Sequence, residues 1–282
     1  MIKTIRAALC LLLVSAGAAL AQSEGHLRVT LLTEQAQRAL RVAKSTCFVM
    51  SGSQSQLHAE TALHEAQAFE QMMKALIDGA GDPALTAERD PAHSTELSRI
   101  QRMSFGVTRS AEQIVSGDFH SVPMRLLLSR NQDVADGLLA AARAAGPRYL
   151  EGDFSAEQQA ALLHLAGQRT LIEELLRDLC YLRLSLGSAE LPAQMIEKIA
   201  LFESINTALI EGDAVRGLPG APNIGIKLGL GQVASKWVAL RDLLAAAANG
   251  EALEVRDLQK ASVIGETLSQ RLTRLMGKYA AL

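Results

Sequence analysis

FEQMMKALIDG at Phe69–Gly79 and FESINTALIEG at Phe202–Gly212 are two versions of one segment, F-E-x-x-x-x-A-L-I-[DE]-G, set 133 positions apart. Downstream, Ile100–Gly117 (IQRMSFGVTRSAEQIVSG) faces Val233–Gly250 (VASKWVALRDLLAAAANG) at the same offset of 133. Upstream, LLTEQAQRAL (Leu31–Leu40) faces LLHLAGQRTL (Leu162–Leu171) at an offset of 131. Three segments in one order at nearly one spacing describe a duplicated unit.

Each copy reads as four helices. The periodicity predicts helices near Gly25–Met50, Gln54–Asp78, Ser94–Ser116 and Val122–Ala145, then near Ser155–Leu186, Pro192–Glu211, Ile224–Asn249 and Leu253–Ala281. In the Pro192–Glu211 segment, Ile196, Ile199, Ala200, Ile205, Ala208 and Leu209 keep to one face. Gly79, Gly117, Gly212 and Gly250 each follow a helical run, where a residue of positive φ ends a helix readily. Ser155 with Gln158 three residues on forms a capping box, and Pro192 suits a first turn. Short connections within helix pairs 1–2 and 3–4, with longer loops at Gly79–His93 and Gly212–Asn223, predict an all-α protein of two tandem up-down-up-down four-helix bundles. Both chain ends of such a bundle lie at one pole. The GPRYLEGD linker (Gly146–Asp153) then sets the bundles side by side and parallel, with Gly146, Pro147 and Gly152 opposing a continuous helix through it.

Lys3 and Arg6 precede an apolar run from Ala7 to Leu20, and Ala19-Leu20-Ala21 presents small residues where signal peptidase reads. Residues 1–21 are therefore expected to be a secretory signal peptide, too short and wrongly flanked for a stable span. Leu9 before Cys10 is a poor context for lipidation. The mature protein is expected in the periplasm. Aromatics are 4% of the chain, which suits helices better than a β-sandwich. The formal net charge is −2, and about −4 without the leader, so a basic surface for nucleic acid is absent. Cys47 and Cys180 each sit late in the first helix of their copy. An oxidising compartment permits a disulfide between them; the alternative is two buried apolar side chains.

The second copy resembles a known family. LFESINTALIEGDAVRGLPGAPN (Leu201–Asn223) and VASKWVALRDLLAAAANG are similar to the second helix, Gly-Leu-Pro loop and Trp-containing third helix of a sensor domain. That domain is the N-terminal domain of type IV pilus methyl-accepting chemotaxis transducers (PilJ-type), related to the nitrate-sensing domain of the NarX and NarQ kinases. LHLAGQRTLIEELLRDLCYL (Leu163–Leu182 region) resembles its first helix. The first copy keeps the F-E-x-x-x-x-A-L-I-D-G segment and a first helix ending RVAKSTC (Arg41–Cys47). The resemblance implies two PilJ-type bundles, 22–147 and 148–282. It also implies a soluble sensor-like protein that binds a small oxyanion such as nitrate, or a carboxylate, and acts through a membrane transducer or sensor kinase. No cofactor is implied. The chain departs from the pattern at the anion-binding arginine. Aligned on Ala166-Gly167, that residue falls on Thr170, with Arg169 about 100° round the helix. The next family arginine falls on Leu175, and in the first copy Arg38 or Arg41 matches, depending on register.

The expected ligand-binding residues are accordingly Arg38, Arg41 and Arg169. Arg38 and Arg169 hold matched places in LLxxxxQRxL and would converge as a bidentate anion site if the bundles pack through their first helices. The opposing reading pairs them with carboxylates such as Glu34 and Glu173. A non-ligand-binding interaction module is the alternative function. An enzyme is not expected: H-E-x-x-H, G-x-S-x-G, C-x-x-C and a Gly-rich phosphate loop are all missing. No metal site is expected either. His58 and His64 face different sides of a helix, and the pairs His58/Glu65 and Glu60/His64 read as solvated. His93 and His120 are expected in loops, His164 near a helix start, Trp237 in the core, and the GLPGAP loop (Gly217–Pro222) as a cap on one pole.

Overall fold

The structure, a computed structural model, describes residues 24–81, 83–120, 122–150, 152 and 154–282 in full; within helices it gives the backbone alone for residues 2–23 and 121. The expected leader and its cleavage site after Ala21 lie outside the fully described residues.

The fold is all-α. The helices are α1 (Ile2–Met50), α2 (Ser55–Asp78), α3 (Pro91–Val115), α4 (Ser121–Tyr149), α5 (Ala156–Arg183), α6 (Leu191–Glu211), α7 (Ile224–Ala248) and α8 (Val255–Ala280). Among the described residues, β-structure is confined to one isolated bridge, Asp213 to Leu218. Contacts between helices fall into two rings, α1-α2-α3-α4 and α5-α6-α7-α8, which meet where α1 lies along α5. Each ring closes on its own apolar interior, one around Leu40, Phe69, Met73 and Ile100 and one around Leu176, Phe202, Trp237 and Leu268. Such closure is what amphipathic helices with short connections require.

The helix starts follow their caps. Ser155 and Gln158 form the reciprocal box at α5, and Asn223 accepts from the Ile226 N–H at α7. Helix α3 begins at Pro91 rather than Ser94, because the Asp90 carboxylate caps Ala92 and His93 and Pro91 takes the first turn. This moves His93 from the expected loop into α3. Helix α4 also runs further than expected, through Pro147 to Tyr149, so the boundary at 147/148 falls inside its last turn. The extension is held from outside: Tyr149 donates its hydroxyl to Glu88 at 2.7 Å, and Leu150 is buried. Gly152, at φ 87°, lies instead between the end of α4 and the start of α5.

The duplication reaches individual side chains. Glu70 accepts from the Thr108 hydroxyl at 2.7 Å. At the positions 133 further on, Glu203 lies 3.6 Å from Arg241, and it also accepts from the Trp237 indole at 3.1 Å. Trp237 is buried and stacks on Phe202 at 3.9 Å, a core residue as expected. Leu218 of the GLPGAP loop is buried at one pole.

Candidate functional site

Helices α1 and α5 run in the same direction along one another. Cys47 and Cys180, separated by 133 residues, occupy the same place in the two copies. They form a disulfide across this seam with Cα atoms 6.2 Å apart, and both side chains are fully buried. Of the two readings open at the sequence level, bonded cysteines are the one in the structure. An offset of 133 at the cysteines also fixes the register of the first helices. In that register Arg38 matches Leu171, and Arg169 matches Ala36. The 131 offset of LLxxxxQRxL is therefore not the spatial one, and Arg38 and Arg169 are not equivalent in space.

The three arginines have separate surroundings. Arg38 Nε lies 3.1 Å from Glu65 of α2 and borders an open surface depression of about 450 Å³ with Lys74. Arg41 donates from Nη1 to Glu65 at 2.9 Å and from Nε and Nη2 to Glu173 at 3.1 and 3.0 Å. Lys44 Nζ donates to the other oxygen of Glu173 at 2.5 Å. Arg169 points towards α8, with Nη1 3.9 Å from the Met276 sulfur. Burial lowers the pKa of Arg169, opposed by the charge of Glu34. The protein's own carboxylates thus occupy the place beside Arg41 that a bound oxyanion would take.

Glu173 is the centre of this network, at 2% exposure. Burial alone would raise its pKa, but the charges of Lys44 and Arg41 and their hydrogen bonds hold it down to about 2. Burial acts on Arg41 in the opposite sense, and Glu173 with Glu65 raises its pKa overall. The matching place in the second copy carries the reverse polarity. Arg41–Glu65 in the first copy becomes Glu174–Lys198 in the second, 2.7 Å apart, each residue displaced by 133. Arg177 and Asp178 extend this second cluster, joined at 2.6 Å and buried. Lys44, Arg177, Asp178 and Lys198 were not picked out from the sequence, and Glu65 was considered only as a solvated partner of His58. Lys44, Arg177 and Asp178 do carry a signal, as charges within α1 and α5 close to the cysteines on faces otherwise apolar; Glu65 on α2 and Lys198 on α6 carry none.

The histidines hold separate positions. His58 is buried edge-on against Phe48 at 4.7 Å, and neither ring nitrogen has a hydrogen-bond partner. Burial, then the charge of Lys44, lowers its pKa to about 4. It is a core residue and not the solvated one expected. His120 is exposed at the start of α4. Among the described residues, no group of three His, Cys, Asp or Glu side chains could hold a metal ion. No described helix is long and apolar enough to cross a membrane.

A cleft of about 520 Å³ lies where α4 of the first ring meets α5 and α6 of the second. Its size is that of small-molecule sites. Leu139, Leu163, Leu171, Leu201 and Ile205 line its middle. Arg143, His164 and Arg216 stand towards one end, and Asp136 and Glu174 towards the other. Only His164 of these polar residues was singled out in the sequence. The cleft exists because α4 and α6 approach α5 from different rings, which no local pattern encodes. Compared with known proteins, the chain matches no family and no curated protein sequence.

Proposed function

We propose that the protein is an exported, sensor-like helical module that binds a small ligand and acts through a membrane transducer or sensor kinase. The cleft between α4, α5 and α6 carries this reading, with an apolar middle and charged ends of opposite sign. The PilJ-type resemblance of Leu201–Asn223 supports it. A disulfide between Cys47 and Cys180 suits a periplasmic location, since such bonds persist in oxidising compartments. Because Arg38 and Arg41 are already engaged by Glu65 and Glu173, the cleft is a better place for a ligand than the α1–α5 seam. The module is a binding protein in this reading rather than an enzyme.

A thermal-shift screen with nitrate, nitrite, small carboxylates and short peptides tests it. A ligand at a hundred times its Kd adds about 2.7 kcal/mol of stability, so at least one class should raise Tm. A flat response to all of them overturns the reading in favour of an interaction module without a small ligand. The exposed side chains of Ile224, Leu228 and Val238 on α7 favour that second reading.

A further inference from the structure

The polar groups of the cleft differ in how far the protein satisfies them. Arg216 pairs with Asp213 and donates to Ser204 at 3.1 Å. Glu174 pairs with Lys198 at 2.7 Å. His164 is hydrogen-bonded to the backbone of Arg216. Arg143 and Asp136, by contrast, take part in no ion pair among the described residues; Asp136 only accepts from Gln132 at 3.0 Å. Both belong to α4 and both line the cleft. Both are exposed and hydrated, and they stand as two charges of opposite sign on one wall that no ion pair within the described residues engages.

Their spacing is set by the helix. Seven residues separate Arg143 from Asp136, which is two turns and about 10.5 Å along the axis. The wall between them is apolar, formed by Leu139 with Leu163, Leu171 and Leu201 opposite. An occupant that satisfies both charges carries a negative group and a positive group about 10 Å apart with an apolar body between. An extended peptide advances about 3.3–3.6 Å per residue, so three residues place a terminal carboxylate and a terminal ammonium at that distance. Single amino acids are too short, and inorganic oxyanions would leave Asp136 and the leucines unused. Gly167 opens the floor: a Cβ built there meets nothing within 4 Å.

We propose that this cleft binds a short apolar peptide of about three residues, its carboxylate at Arg143, its amino terminus at Asp136 and its side chains on the leucines. The proposal rests on the ligand-binding reading above and names the ligand class for that cleft.

Isothermal titration of the whole mature protein with Leu-Leu-Leu, its N-acetyl form and its C-terminal amide tests it. Trileucine should bind, and each blocked form should bind about tenfold more weakly, the scale of one charge-assisted contact. Asp136→Asn should weaken the free peptide about tenfold yet leave the acetylated one unchanged, since both changes remove the same contact. Arg143→Gln should behave likewise with the amide. Gly167→Leu fills the floor on a helix that tolerates leucine, and should abolish binding while the protein stays folded. No heat with trileucine overturns the proposal. So does equal binding of free and acetylated peptide, or wild-type affinity in Gly167→Leu. If peptides fail while a carboxylate still raises Tm, the peptide assignment falls and the ligand-binding reading stands; if nothing binds, both fall.

Discussion

Replacing Glu173 by Gln tests the account of the α1–α5 seam most directly. The change keeps the shape of the side chain and removes its charge. In the structure the carboxylate is 2% exposed and holds Arg41 at 3.0 Å and Lys44 at 2.5 Å. Arg41 retains Glu65, but Lys44, itself 8% exposed, loses the anion that compensates it. Breaking a buried pair from one side costs about 3–5 kcal/mol, because the remaining charge stays desolvated. The pKa supplies a second estimate. Glu173 titrates near 2 when folded, against an ordinary value of 4.5. At about 1.4 kcal/mol for each pH unit between the two, its ionisation stabilises the fold by about 3 kcal/mol. Because the folded value is the lower one, this contribution is complete above pH 4.5 and is lost as pH falls towards 2. Urea unfolding followed by circular dichroism at a series of pH values measures both. Glu173→Gln should be about 3–5 kcal/mol less stable than wild type at pH 7 and should show a shallower loss between pH 4.5 and 2. The double change Lys44→Met with Glu173→Leu should recover much of the loss, since apolar residues of similar volume can replace a buried pair. A loss below about 1 kcal/mol for Glu173→Gln, or an unchanged acid limb, would refute the reasoning.

Other expectations follow from the same packing. Cys47→Ala should remove a cross-link that closes a loop of 133 residues, lowering stability by up to about 5 kcal/mol on loop entropy, and non-reducing electrophoresis should show the loss of the compact form. His58 is held neutral, with a pKa near 4 against an ordinary 6.5; its contribution is complete above pH 6.5 and fades as pH falls to 4, so His58→Phe should flatten that part of the stability curve. Tyr149→Phe should cost about 1–3 kcal/mol by leaving the Glu88 carboxylate without its hydroxyl donor; an unchanged urea midpoint would count against the role given to this contact in extending α4. Mass spectrometry of exported protein should find Gln22 at the N-terminus, and retention of Cys10 would point to an anchor instead.

Much of the fold was legible because its determinants are local. A helix needs a repeating apolar face, a cap and a stop. Ser155, Pro192 and the glycines at 79, 117, 212 and 250 state these within a few residues of where they act. One departure is local and the other is not. Asp90 was passed over as a cap, and Pro147 was credited with ending a helix that Tyr149 and Leu150 hold in place from distant contacts.

By itself the sequence determined that this protein is helical and internally duplicated, since periodicity and a fixed offset are one-dimensional properties. It narrowed the cysteines to two outcomes and the arginines to three residues. Only the tertiary structure decided that Cys47 meets Cys180 and that the first helices align at 133 rather than 131. It also decided that Glu65 and Glu173 neutralise Arg38 and Arg41 while Arg169 turns to Met276, and that Arg143 and Asp136 are left facing a cleft between the two rings. Those outcomes depend on how one amphipathic surface rotates against another. A shift of two residues turns a helix face by about 160°, so even a small ambiguity of register leaves the pairing of charges across a seam undetermined until the helices are in place.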